Sequence, residues 1–242
     1  MRHKFHEMPW TKPVLLALAT LAFVIAPWVT PPFSGYEAGQ FPVDIPDPAI
    51  QPAGYAFSIW AVIYSLLVVH AAVGLIWRRS DPAWDAVRVP LTVSIALGAV
   101  WLAIAGEAPL MATLAIWVMQ AGALLAFLRA DPGTDRWLLS APIAMYAGWL
   151  TAAAAVSTGV VLAGYGLLSD TGSALAMLAL VLVITLITQS RRPQMPVYAA
   201  TVVWALAGII VTNRATNTTV VAAALIGAVV VAAAAVWLLR RR

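Results

Sequence analysis

Residues 55–77 read YAFSIWAVIYSLLVVHAAVGLIW, a run with no Asp, Glu, Lys or Arg and a single histidine, His70. A bilayer core of about 30 Å calls for about 20 predominantly apolar residues in one helix. Seven more runs of this kind lie near 13–30, 88–105, 109–128, 137–162, 172–189, 196–212 and 219–239. Composition agrees: 62% of the residues are apolar and only 10% charged, against about 45–50% and about 25% in a globular chain. So little charge cannot cover a surface in water, and so much apolar area excludes intrinsic disorder. The reading is an all-α integral membrane protein of about eight transmembrane helices. With no cysteine, disulfides, thiolate metal sites and cysteine nucleophiles are excluded.

The scarce charge is sorted. Arg2, Lys4 and Lys12 precede the first run, and Arg78, Arg79 and Arg88 fall in the second connection. Arg129 and Arg136 fall in the fourth, Arg191 and Arg192 in the sixth, and Arg240, Arg241 and Arg242 end the chain. With eight spans, thirteen of the fourteen basic residues share one side and only Arg214 lies opposite. By the positive-inside rule both termini are cytoplasmic. The net charge of +4 then records basic cytoplasmic loops, and no nucleic-acid partner is expected. The basic start could mimic a signal peptide, but only Ala26-Pro27-Trp28 follows it, without a small-x-small cleavage site, so the first run is read as a retained helix. The other side carries Glu37, Asp44, Asp47, Glu107 and Asp170, and its first connection, PPFSGYEAGQFPVDIPDPAIQPAG over 31–54, is long and rich in proline. Such a loop is either a spacer or a cover over something.

Several membrane chemistries lack their residues. Lys4 and Lys12, the only lysines, precede the first span, which leaves no Schiff-base lysine. No span holds the carboxylates of an ion-coupled transporter or a magnesium-dependent prenyl enzyme, and no paired-His metal motif or phosphate-cradling glycine loop occurs. No catalytic residue and no metal site is assigned. His70, the one ionisable group read inside a span, lies about 10 Å from the cytoplasmic end and is a candidate axial haem ligand or an imidazole bonded between helices. Gln120, near the middle of the fourth span, is read as interhelical glue.

Eleven tryptophans are the remaining signal. Trp10, Trp77, Trp84, Trp137 and Trp237 suit a cytoplasmic aromatic belt, and Trp28 and Trp101 the opposite one. Trp117, Trp149 and Trp204 lie well inside their spans, where an indole face is a platform for a flat ligand. The second span opens with Pro52-Ala-Gly-Tyr-Ala-Phe-Ser-Ile-Trp60, followed by Tyr64, and the fifth contains Tyr146-Ala-Gly-Trp149 with Ala153 and Ser157. At helical spacing Trp60 and Tyr64 share a face, as do Trp149, Ala153 and Ser157.

In these motifs the chain resembles the tryptophan-rich sensory protein family (TspO/MBR, the bacterial relatives of the mitochondrial translocator protein). Pro52, Trp60 and Tyr64 match the family's second-helix signature, and Tyr146, Trp149 and Ala153 its fifth. Trp101 stands where the family's third helix has its tryptophan. The pattern departs in Gly98, where the family has Asn, and in Ser157, again for Asn. Pro142 stands four residues before Tyr146, and the first-loop tryptophans are missing. The resemblance covers about residues 10–162, a TspO-like five-helix module, and leaves 163–242 as a three-helix C-terminal extension. It implies a protein of the bacterial inner membrane that binds a flat apolar ligand, a tetrapyrrole such as porphyrin or haem or a sterol-like lipid, with a sensory or regulatory role. The implied lining is Trp60, Tyr64, Trp101, Tyr146, Trp149 and Ala153, between the second and fifth helices under the 31–54 loop. The family's pairing into dimers makes a homodimer a candidate assembly. An accessory subunit of a membrane complex, a small-molecule permease and an enzyme acting on a bound porphyrin are the other readings.

Overall fold

The structure, a computed structural model, describes residues 10–31, 36 and 39–241. Among these residues the chain forms eight α-helices and no strand: α1 (Thr11–Val29), α2 (Ile59–Ile76), α3 (Pro82–Glu107), α4 (Pro109–Arg129), α5 (Ser140–Gly164), α6 (Asp170–Arg191), α7 (Val197–Asn213) and α8 (Thr218–Arg240). A 3₁₀ turn over Gly54–Ser58 leads into α2. Seven helices are long and apolar enough to cross a membrane, and α7 is an apolar helix of 17 residues. Helix α3 begins six residues before the apolar run does. The Asp81 side chain accepts a hydrogen bond from the Ala83 N–H at 2.9 Å, and Pro82 occupies the first turn, a strong helix start.

Helix α5 organises the bundle. Its sequence, SAPIAMYAGWLTAAAAVSTGVVLAG, is dominated by small residues, and it is buried along nearly its whole length. Helices α2, α4, α6 and α7 pack around it, while α3 lies between α1 and α4, and α8 against α6 and α7. Between helices in lipid, small residues allow the close backbone approach that supplies van der Waals contact. A Cβ on Gly148 would stand 2.7 Å from the Tyr198 carbonyl oxygen and 3.0 Å from Thr201 Cβ of α7. Gly122 of α4 meets the Pro90 carbonyl of α3 in the same way, at 2.8 Å. Polar side chains reinforce these seams: Gln120 donates to Thr151, which also bonds the Tyr198 hydroxyl at 2.8 Å, and Trp117 donates to Thr158 at 2.8 Å. Gln120 thus joins α4 to α5, as its sequence position suggested.

The two ends of the bundle differ in chemistry. One end gathers the start of α1 and the connections α2–α3, α4–α5 and α6–α7. Lys12 pairs with Asp85 at 2.6 Å, Arg79 lies 3.7 Å above the Trp10 ring, Arg192 donates to the Ala130 carbonyl and Arg136 to that of Gln194. All described Lys and Arg residues except Arg214 belong to this end.

Two residues at this end depart from the expectation. Arg88 lies within α3, not in the connection, and is almost fully buried. Its guanidinium donates to the carbonyls of Gly74 at 3.1 Å, Arg78 at 2.8 Å and Arg79 at 2.9 Å, and to Asp85 at 3.3 Å. The last carbonyls of a helix have no partner within it, and a cation there also suits the helix dipole. Arg88 supplies both at the end of α2, which is why a buried charge is tolerated. Trp84 is likewise no belt residue. It is 1% exposed, donates its indole N–H to Asp135 at 2.9 Å and stacks on His70 with ring centroids 4.8 Å apart.

Two outcomes are expected. Gly148→Val forces α7 off α5 and lowers stability in detergent unfolding by about 1–3 kcal/mol, whereas Gly106→Ala, whose Cβ meets open space, leaves it unchanged. Asp135 is held by Arg78, with Nε to Oδ2 at 2.6 Å, and this hydrogen bond keeps its carboxyl below the ordinary 3.8. Because the folded-state value is the depressed one, the contribution is complete above pH about 4 and fades as acid protonates the carboxylate. Thermal unfolding from pH about 5 down to about 3 should therefore fall more steeply for the wild type than for Asp135→Asn.

Candidate functional site

At the acidic end, α1 to α5 part to leave a cavity of about 990 Å³. Its walls come from all five helices: Phe23 and Ala26 of α1, Trp60 and Tyr64 of α2, Trp101 and Leu102 of α3, Ile116 and Met119 of α4, and Trp149, Ala153 and Ser157 of α5. Its roof is the α1–α2 connection, through Phe41, Val43, Asp44, Ile45, Pro46 and Gln51. The opening is made by small residues. Ala152, Ala153 and Val156 on α5 and Gly98 on α3 leave space that the aromatic rings border. Gly98 is already tight, since a Cβ there would lie 2.7 Å from the Phe23 ring.

Aromatic rings set the shape. Trp60 and Tyr64 stack with centroids 5.3 Å apart and planes inclined by 24°, as their spacing of one helical turn requires. Phe23 meets both edge-on, at 5.7 Å and 5.1 Å. Trp149 meets Trp60 edge-on at 6.2 Å and Phe57 at 5.6 Å. These are the favoured offset and T-shaped geometries of rings with negative faces and positive edges.

Of the six residues predicted to line a site, Trp60, Tyr64, Trp101, Trp149 and Ala153 border this cavity. Tyr146 does not. It is wholly buried behind the wall, where its hydroxyl accepts from Ser94 at 3.1 Å and its ring lies 5.9 Å from Phe23. His70 does not border the cavity either. Its Nδ1 lies 2.9 Å from the Leu138 carbonyl oxygen, an acceptor only, so Nδ1 carries the proton. Its Nε2 is buried without a partner among the described residues. Phe23, Phe57, Met119 and Tyr36 join the site without having been singled out; Phe57 lay within the quoted second-span motif, while Phe23 had no marker in a first span that is apolar throughout.

The polar groups of the lining fall into two sets. Trp101 donates to the Ala112 carbonyl at 2.9 Å, and Ser157 bonds Thr113 at 2.6 Å. Tyr36 bonds Ser157, and its ionisation is pushed above the ordinary 10.0 by burial, which this hydrogen bond partly offsets. In contrast, the indole N–H groups of Trp60 and Trp149 and the Tyr64 hydroxyl make no hydrogen bond among the described residues. These three side chains therefore border the chamber with donors uncommitted among the described residues.

The roof is held by the second half of the chain. The Val43 N–H donates to the Gly164 carbonyl at 2.9 Å, Ala49 N–H to the Asp170 carboxylate at 3.0 Å, and Ala53 N–H to the Gly208 carbonyl at 3.0 Å. Asn213, buried at the end of α7, donates to the Ala49 carbonyl at 2.7 Å. Trp204, one of the three tryptophans read as lying inside a span, donates to the Ala56 carbonyl at 2.9 Å and so braces the turn before α2.

Against known families, a model described as TSPO-like protein matches residues 11–237. The chain belongs to the TSPO-like protein family. The match runs through all eight helices, and the chain is a multi-pass membrane protein. Searches of the curated proteins and of the solved structures return no match.

Removing the Asn213 amide leaves the Ala49 carbonyl without its donor in a buried position. Asn213→Ala should cost about 1–3 kcal/mol and make the cavity tryptophans more accessible to acrylamide quenching, read by fluorescence beside thermal unfolding.

Proposed function

We propose that the chain binds a flat, largely apolar molecule, a tetrapyrrole or a sterol-like lipid, in the cavity under the α1–α2 connection. The observation that carries this reading is the meeting of Trp60, Tyr64 and Trp149 at one cavity with their donors unpaired among the described residues. Ligand sites are typically concave, mostly apolar and supplied with a few polar groups that orient the guest, and a volume of about 990 Å³ is at the large end of that class. Burial of the guest's apolar area supplies affinity at about 25 cal/mol per Å², and ring stacking on indole faces adds to it. The aromatic walls and neutral donors support a flat guest such as a porphyrin ring. The reading does not use His70, which belongs to the polar cluster at the other end.

The basic end is the cytoplasmic one by the positive-inside rule, with both termini there and the roof on the far side of a bacterial inner membrane. Helices α1–α5 are the binding module, and the last three helices are its extension, anchoring the roof. A sensory or regulatory role follows if occupancy of the cavity alters how the roof is held.

The test is a titration of the purified protein with protoporphyrin IX dimethyl ester, an uncharged flat ring, followed by tryptophan fluorescence. Saturable quenching is expected, lost in Trp149→Leu and kept in Trp237→Leu, with both variants checked for an unchanged unfolding transition. Absence of saturable quenching in the wild type overturns the reading. Stoichiometric partner subunits copurifying with it would favour the accessory-subunit reading.

A further inference from the structure

No basic side chain among the described residues lines the cavity. Among the described lining residues the only charged one is Asp44, an exposed residue of the roof whose carboxylate accepts a hydrogen bond from the Gly39 N–H at 3.0 Å. The sequence of the whole roof connection, 31–54, contains no Lys or Arg, and Asp47 stands three residues beyond Asp44. Arg214, the basic residue of this end, is exposed beyond α7 and does not border the cavity. The other described cations are drawn to the opposite end, where Arg78, Arg88, Arg136 and Arg192 are engaged by carboxylates and carbonyls.

Resting on the ligand reading above, we propose that this cavity selects uncharged or cationic flat molecules and discriminates against those that carry carboxylates. A carboxylate drawn from water into an apolar chamber keeps its charge only where a cation or several donors replace its hydration. Here the uncommitted donors on the described lining are two indole N–H groups, a phenol and the Gln51 amide, all neutral, and the one formal charge of that lining is negative. Those donors suit a neutral acceptor on the guest, a keto or hydroxyl oxygen or an ester carbonyl. A cationic guest gains at the mouth from Asp44, where the exposed position makes the attraction modest and salt-dependent.

The experiment compares two probes with one ring: protoporphyrin IX as the diacid and as its dimethyl ester, titrated at pH about 8 in the same detergent. The ester should bind at least about tenfold more tightly, a difference of about 1.4 kcal/mol. Acidification should narrow the gap as the propionates take up protons. Detergent could separate the two probes by itself, so the decisive variant is Asp44→Lys, which reverses the charge at the mouth without touching a buried contact. It should tighten the diacid several-fold relative to the ester. Trp149-dependent binding of the diacid as tight as the ester overturns the charge selection and leaves the site reading standing. An unaltered gap in Asp44→Lys also overturns the charge selection. Failure of both probes to bind overturns this inference together with the site reading.

Discussion

Helix α5 has no side that faces only lipid, and this constraint governs the arrangement of the other helices. A helix surrounded by helices must be narrow, because each neighbour's backbone has to come within contact distance to replace the dispersion that lipid tails would otherwise provide. Gly148 and the alanines from Ala152 to Ala155 make it narrow. Where α5 carries larger groups they are matched to specific partners, as Tyr146 is to Ser94, and Thr151 to Gln120 and Tyr198. The cavity is a consequence of the same composition. Toward the acidic end the small residues of α5 face aromatic rings rather than another backbone, and rigid rings meeting edge to face cannot close the gap.

The two ends solve different problems. At the basic end helices finish, and their last carbonyls need donors. Arg88 and Arg192 meet that need at α2 and α4, so residues that sort by the positive-inside rule also hold the fold together. At the acidic end the connection 31–54 must be fastened over an opening, and the fastening groups are neutral or acidic: Asp170, Asn213 and backbone carbonyls. Basic side chains are thereby kept away from the chamber, and Asp44 is the one charged side chain of its described lining.

Much of this was legible in the chain. Apolar runs of bilayer length announced eight helices, basic residues sorted to one side announced the two faces, and the Trp60–Tyr64 spacing announced a shared helix face. What misled was locality. Arg88 lies near a cluster of arginines in sequence and so read as loop, yet the Asp81-Pro82 start carries the helix past it. Trp84 sits at belt depth, but depth does not reveal whether an indole turns to lipid or inward to Asp135 and His70. Tyr146 shares a motif and, at i, i+3 spacing, a helix face with Trp149, but its ring packs against Phe23 and its hydroxyl meets Ser94, which leaves it buried behind the wall instead of on it. Phe23 was invisible because every position around it is apolar too.

The sequence by itself determined the solvent, the number of helices, their alternation and the ends to which charge is assigned, because each depends on runs and counts that lipid reads along one segment at a time. Only the tertiary structure decided that five helices share one cavity, that its donors at Trp60, Tyr64 and Trp149 lack partners among the described residues, and that α6 and α7 hold its roof. These depend on which faces of separate helices meet, and on a uniformly apolar helix nothing local marks the inward face. The packing of small residues on α5 chooses it.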